Sequence, residues 1–165
     1  KIRTKGSSEM EDIIIEENLK LIPYYPNQET ALEWYQDLDV CKQVDNIDTP
    51  YTRERLDAMY NYLSTNGECY YIQFNNTLVG DVSLYNCNEL AIVISKEFQN
   101  QHIGRKCVQK MIQQAKERGI KELIANIYSF NQQSRKMFES IGFKQIDEES
   151  EKEMSQYSNM VPGLF

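Results

Sequence analysis

Residues 88–118 read NELAIVISKEFQNQHIGRKCVQKMIQQAKER, a strand, a polar turn and a long amphipathic helix in unbroken succession. Residues 90–94 form a nearly continuous apolar run, as expected of a strand covered on both faces. Residues 96–102 are polar and carry no helical period. From there the apolar residues fall at Ile103, Cys107, Val108, Met111, Ile112 and Ala115, one face of a helix at a period of 3.6. Gly119 closes that helix just after Arg118, a cation placed where the helix dipole favours one.

A strand that runs through a polar loop into a helix leaves unpaired backbone N–H groups pointing at the loop, and the dipole adds positive potential there. A phosphate suits such a place. Gly104 lets a ligand approach the backbone closely, and Arg105 and Lys106 add charge beside it. The other reading is a plain strand-to-helix connection whose glycine serves packing, and this stretch alone leaves both open.

A second stretch lies about thirty residues on: NQQSRKMFESIGF, Asn131 to Phe143. Together, Gln99-x-x-His102-x-Gly104 and Asn131-x-x-Ser134-x-x-x-Phe138-x-x-x-Gly142-Phe143 resemble the two signatures of the GNAT acetyltransferase superfamily, in the right order and at the right distance. The resemblance covers roughly residues 68–147 well and the first half in outline. One departure is His102, where the signature has its first glycine. The resemblance implies that loop amides from Gln99, Asn100, Gln101, His102, Ile103, Gly104 and Arg105 hold the pyrophosphate of acetyl-CoA. It further implies that main-chain groups at Ile92, Val93 and Ile94 pair with the pantetheine arm. Asn131 would hydrogen-bond that arm or cap its own helix, and Phe138 would pack against it.

With 165 residues the chain suits one ordinary domain. Residues 1–9 are polar and read as a flexible arm or a cloning remnant, leaving residues 10–165 as a single N-acetyltransferase domain. No apolar run approaches the roughly twenty residues of a membrane span, and no secretory leader is visible, so a cytoplasmic protein without a membrane partner is expected. Four separated cysteines and one histidine give no zinc pattern, so no metal is expected, and Cys107, on the apolar face of its helix, reads as an inert core thiol. A formal net charge of −7 argues against nucleic acid and mildly favours a cationic amine, although solubility alone also explains it.

Along the chain, residues 12–22 carry a strand signal with a break near Glu17 and Asn18. Residues 28–38 read as a short helix, residues 39–50 as a polar loop, and Thr52 opens a second helix with Leu56, Met59, Tyr60 and Leu63 on one face. Residues 68–74 and 77–85 form a hairpin across Asn75-Asn76. After the long helix come a strand at 122–128, a helix at 131–141, a strand at 143–147, an acidic solvated turn at 147–153 and a last strand at 154–161. The expected fold class is α+β: a mixed, mostly antiparallel sheet of six to seven strands flanked by about four helices. This order matches the GNAT fold, in which two central strands splay apart to form a wedge for the cofactor.

Direct acetyl transfer to an amine needs positioning groups, a base and an acid. Glu89, at the start of the central strand, is where many family members place a base, and Asp81 is a second candidate. His102 lies in the phosphate loop and is not assigned as base. Many members protonate the departing thiolate with a tyrosine at the position of Phe138, which has no hydroxyl. The N-x-x-S subgroup, which includes ribosomal-protein N-terminal acetyltransferases, offers the serine instead, and Ser134 matches it, with Tyr128 as a further donor. Trp34 and Tyr35, with acidic residues between 37 and 57, suggest an acceptor pocket suited to a protonated amine, although most such residues serve a core or a solvated surface. The expected function is acetyl-CoA-dependent N-acetylation of a small molecule or a peptide or protein N-terminus by a monomer or homodimer. The alternative is a non-catalytic acyl-CoA-binding module.

Overall fold

Asn75 and Asn76 take positive φ values of 48° and 64°, the backbone that a two-residue hairpin turn requires and that asparagine tolerates. Turns of this kind, with amphipathic helices between them, build the computed structural model, which describes residues 10–149 and 154–160. The strands are β1 Ile13–Glu16, β2 Leu19–Pro23, β3 Gly67–Phe74, β4 Thr77–Tyr85, β5 Glu89–Ile94, β6 Glu122–Tyr128, β7 Lys144–Glu149 and β8 Met154–Met160. The helices are α1 Gln28–Trp34, α2 Leu38–Asp45, α3 Arg53–Thr65, α4 Ile103–Glu117 and α5 Gln132–Ser140, with a 3₁₀ turn at Lys96–Phe98.

The described strands form one sheet in the order β1-β2-β3-β4-β5-β6-β8-β7. Only the β5–β6 pair in it is parallel. Helices α4 and α5 pack on one face, where Cys107, Val108, Met111 and Phe138 join Leu21, Ile72, Val82, Leu90 and Leu123 in the main core. On the other face, Ala31, Trp34, Cys41, Leu56 and Tyr60 from α1, α2 and α3 meet Cys69 and Tyr71 of β3 in a second core. Because side chains alternate along a strand, the main core takes Leu90, Ile92 and Ile94 of β5, while Val93 turns to the second. Burial pushes the Cys107 thiol up to about 12, so it is a protonated core residue.

Three sequence expectations are corrected. The first apolar stretch is a hairpin, β1 and β2, which raises the strand count to eight. Residues 39–50 are not all loop, because α2 occupies the first half. Its start is set by Asp37, whose carboxylate accepts from the N–H groups of Asp39 (2.9 Å) and Val40 (3.1 Å) and so ends the preceding helix early. The acidic segment joins the sheet through residue 149, where Asp147 pairs with Gln156. The expected turn at 150–153 and the arm at 1–9 lie outside the described residues. Among the described residues, no helix is long and apolar enough to cross a membrane.

Candidate active site

Strands β5 and β6 share one registered pair, Glu89 with Ile124, locked by the Ile124 N–H donating to the Asn88 carbonyl at 2.9 Å. Beyond that point β5 stays paired to β4 as far as Ile94 opposite Gly80. That second pairing is tight: a Cβ on Gly80 would lie 2.0 Å from the Val93 carbonyl oxygen. Among the described residues no strand lies beside the other edge of β5 there, and the gap opens into a cleft of about 460 Å³. Ile92, Val93 and Ile94 form one wall, Ala125, Asn126 and Ile127 of β6 another, and Asn131, Ser134, Met137 and Phe138 of α5 a third. This size suits an organic ligand.

The cleft ends at the start of α4, and Asn100, His102, Ile103, Gly104 and Arg105 all line it. His102 is the N-cap, with φ 62° and no side-chain cap bond. That left-handed backbone is why a glycine is expected there, and histidine holds it at a cost of about 1 kcal/mol. Backbone bonding in this turn resumes at the Lys106 N–H, which donates to the His102 carbonyl at 3.1 Å. The N–H groups of Ile103, Gly104 and Arg105 have no backbone acceptor among the described residues. They lie at the positive end of a helix of 15 residues, an arrangement that can accept an anion. Arg105 is held beside it by donating to Ser140 Oγ at 2.7 Å, whereas Lys106 reaches away to Glu16 at 3.1 Å.

Gln99 also lines the cleft, and the side chains of Gln99 and Gln101 are held within the protein. The Gln99 side-chain amide donates to the Ile94 carbonyl (2.9 Å) and to Gln43 Oε1 (3.0 Å). The Gln101 amide donates to the Glu97 carbonyl at 3.1 Å, and Gln101 does not line the cleft. On α5, Asn131 Oδ1 accepts from the Ser134 N–H at 3.2 Å and caps the helix, while both residues also face the cleft. Phe138 is buried and stands edge-on to Phe143.

Several sequence candidates lie outside the cleft lining. Glu89 sits at the closed vertex and accepts a short hydrogen bond from the Tyr85 hydroxyl. Tyr128 stacks on Phe130 with ring centroids 5.5 Å apart. Trp34 and Tyr35 belong to the second core, and so does the environment of Asp81. The acids expected to line an acceptor wall are largely engaged within the protein. Asp37 caps α2, Asp39 pairs with Lys96 at 3.0 Å, Asp45 pairs with Arg55 at 3.0 Å, and Asp57 pairs with Arg53 at 3.3 Å. Gln43 and Val44, by contrast, line the cleft from α2, a helix in the stretch where the sequence suggests a polar loop. The sequence signal for that helix was Asp37 followed by Val40, Cys41 and Val44.

Asp81 is 3% exposed and accepts from the Tyr35 hydroxyl at 2.7 Å and the Tyr60 hydroxyl at 2.8 Å. Burial pushes its carboxyl up to about 6, against the lowering effect of the two hydroxyls. The folded state therefore holds a proton that the unfolded chain releases at lower pH. Stability should fall as pH rises from about 4 to about 6, by up to about 3 kcal/mol. In Asp81→Asn that fall should vanish from the difference between urea midpoints measured at pH 4.5 and 8. A variant with the slope of the parent would show that Asp81 keeps an ordinary carboxylate pKa.

A model of the acetyltransferase (GNAT) family matches residues 31–143. No curated protein matches the chain by sequence. Among solved structures, a domain from Methanocaldococcus jannaschii DSM 2661 is 26% identical, with a TM-score of 0.77 over 88% of this chain and 99% of that one. A GNAT-family acetyltransferase from Bacillus anthracis is 18% identical, with a TM-score of 0.77 over 93% of this chain and 100% of that one. RimL, a ribosomal-protein α-N-acetyltransferase in complex with coenzyme A, is 15% identical, with a TM-score of 0.72 over 92% of this chain and 98% of that one.

Proposed function

The chain belongs to the GNAT family of acetyltransferases, and we propose that it moves an acetyl group from acetyl-CoA directly to a primary amine of a small molecule or of a peptide or protein N-terminus. The observation that carries the reading is the unpaired edge of β5, facing a cleft that ends at the amide donors of α4. A thin, amide-bearing arm can complete that edge as a strand would, and a pyrophosphate matches the three N–H groups behind it. The residues present fit the cofactor. Gly104 also leaves the turn open, since a Cβ there would have only side-chain carbons near it, the closest at 3.6 Å.

Acetyl-CoA supplies a thioester with a good leaving group; everything else falls to the chain. In this reading Ile92, Val93 and Ile94 orient the arm through their backbone, and Arg105 adds charge beside the pyrophosphate. Ser134, on the first turn of α5, lines the cleft, and its hydroxyl protonates the departing thiolate, a task that Phe138 cannot perform. Glu89, at the vertex where the cleft closes and outside its lining, takes the proton of the amine through water, with Tyr85 holding its carboxylate in place. The net charge of −7 supports a cationic acceptor, and the enzyme is assigned to the cytoplasm, as a monomer or homodimer built on residues 10–165.

Release of free thiol from acetyl-CoA in the presence of polyamines, aminoglycosides and peptides with free N-termini tests the reading. Turnover with at least one of them is expected, and none with the N-acetylated form of the same compound. Saturable binding of acetyl-CoA without turnover on any amine would overturn amine acetylation.

A further inference from the structure

Helix α2 touches both lips of the cleft. Towards the β5 lip, Gln43 and Gln99 form a reciprocal amide pair, with Gln99 Nε2 donating to Gln43 Oε1 at 3.0 Å and Gln43 Nε2 donating to Gln99 Oε1 at 3.4 Å. One turn earlier on α2, Asp39 pairs with Lys96 at 3.0 Å. Towards the β6 lip, the Lys42 ammonium lies 5.2 Å from the centre of the Phe130 ring, in the turn that leads into α5. Between these ties is an opening of about 360 Å³ lined by Asp39, Lys42, Gln43, Lys96, Phe130 and the first residues of α5. Gln43, Asn131 and Gln133 line both this opening and the main cleft, so the two are continuous.

The fastenings are of a kind that opens easily. An amide pair, an exposed ion pair and an exposed cation–π contact each contribute little in water, because water competes for the same groups. The Gln99 amide also donates to the Ile94 carbonyl, so both of its hydrogens are committed and none remains for a phosphate. Its geometry instead ties α2 to the end of the strand that offers its edge to the ligand. We propose that α2 is a strap across the mouth of the cleft and that Gln43 is a positioning residue for the cofactor. Acting through Gln99, it closes the strap over a long, thin ligand lying between β5 and β6 and retards its escape. The proposal rests on the acetyl-CoA reading above.

The experiment measures coenzyme A release by stopped-flow displacement, together with steady-state kinetics once an acceptor is in hand. Gln43→Met keeps the length and bulk of the side chain without its amide, and Lys42→Met keeps the stem without its charge. Each is expected to speed release several-fold, and the double variant by about tenfold or more, since the two ties hold opposite lips. KM for acetyl-CoA should rise while kcat holds, and the melting temperature of the ligand-free protein should stay within about 2 °C of the parent, as for other surface changes. Unchanged release in the double variant, with normal binding by the parent, would overturn the strap and leave the donor reading standing. Failure of the parent to bind coenzyme A would overturn both.

Discussion

Gly104→Glu is expected to abolish stabilisation by acetyl-CoA and by free coenzyme A while leaving the protein folded. In the parent, a ligand at a hundredfold excess over its Kd adds about 2.7 kcal/mol. For a chain of this size that raises Tm by about 5–10 °C. The variant should show no shift under the same conditions. The fold has room for it: the nearest atoms to a Cβ on Gly104 are Ile94 Cγ1 at 3.6 Å, Ile92 Cδ1 at 3.7 Å and Met137 Cε at 4.0 Å, ordinary contacts that demand no backbone movement. A glutamate in the first turn of a helix also suits the dipole, so the ligand-free Tm should hold or rise slightly. What it removes is the guest, because the carboxylate competes for the N–H groups of Ile103, Gly104 and Arg105 and repels a pyrophosphate. A variant that still shifts as the parent does would move the phosphates off this loop. A parent that does not shift at all would remove acetyl-CoA as the donor.

Ser134→Ala is expected to lower kcat by about a hundredfold, the lower end of what a positioned general acid contributes, with little change in KM for acetyl-CoA. The substitution is mild elsewhere. The helix cap runs from the Ser134 N–H to Asn131 Oδ1 and does not use the hydroxyl, so α5 should start as before. Glu89→Gln is the companion change. Glutamine can still accept from the Tyr85 hydroxyl but cannot take a proton from the amine. Its loss of rate should shrink as pH rises towards the pKa of the acceptor, where the free amine is supplied by the solution. Rates of thiol release measured from pH 6.5 to 9.5 separate the two: Ser134→Ala should stay slow throughout, Glu89→Gln should recover. Parental kcat in Ser134→Ala would leave thiolate protonation to water or to another group.

Most of the strand–turn–helix unit was legible because it is local. The apolar run of β5, the polar turn and the one-sided face of α4 follow one another within residues 88–118, and chain connectivity alone brings them together. The same holds for Asn131, Ser134 and Phe138, spaced at 3 and 7 residues along one helix, so that Ser134 and Phe138 share the face turned to the cleft. Asn75-Asn76 fixed its hairpin through backbone preference. Helix α2 escaped because it is 8 residues long and is started by a side-chain cap rather than by a long apolar stripe.

Read alone, then, the sequence determined the fold class, the strand–turn–helix unit at residues 88–118 and the family, since each rests on short-range periodicity and on motifs whose spacing survives any packing. Tertiary structure decided where β5 and β6 part, because a single registered pair at Glu89 and Ile124 is a property of strands 35 residues apart. It also decided the electrostatics of the first half. Asp39 meets Lys96, and Asp81 meets the hydroxyls of Tyr35 and Tyr60, across distances in sequence that no pattern encodes. Asp37, Asp39, Asp45 and Asp57 look free to bind a cation in a linear reading, yet one caps a helix and the others face a cation once the chain folds, while Asp81 is buried, where a carboxyl needs the two hydroxyls as partners.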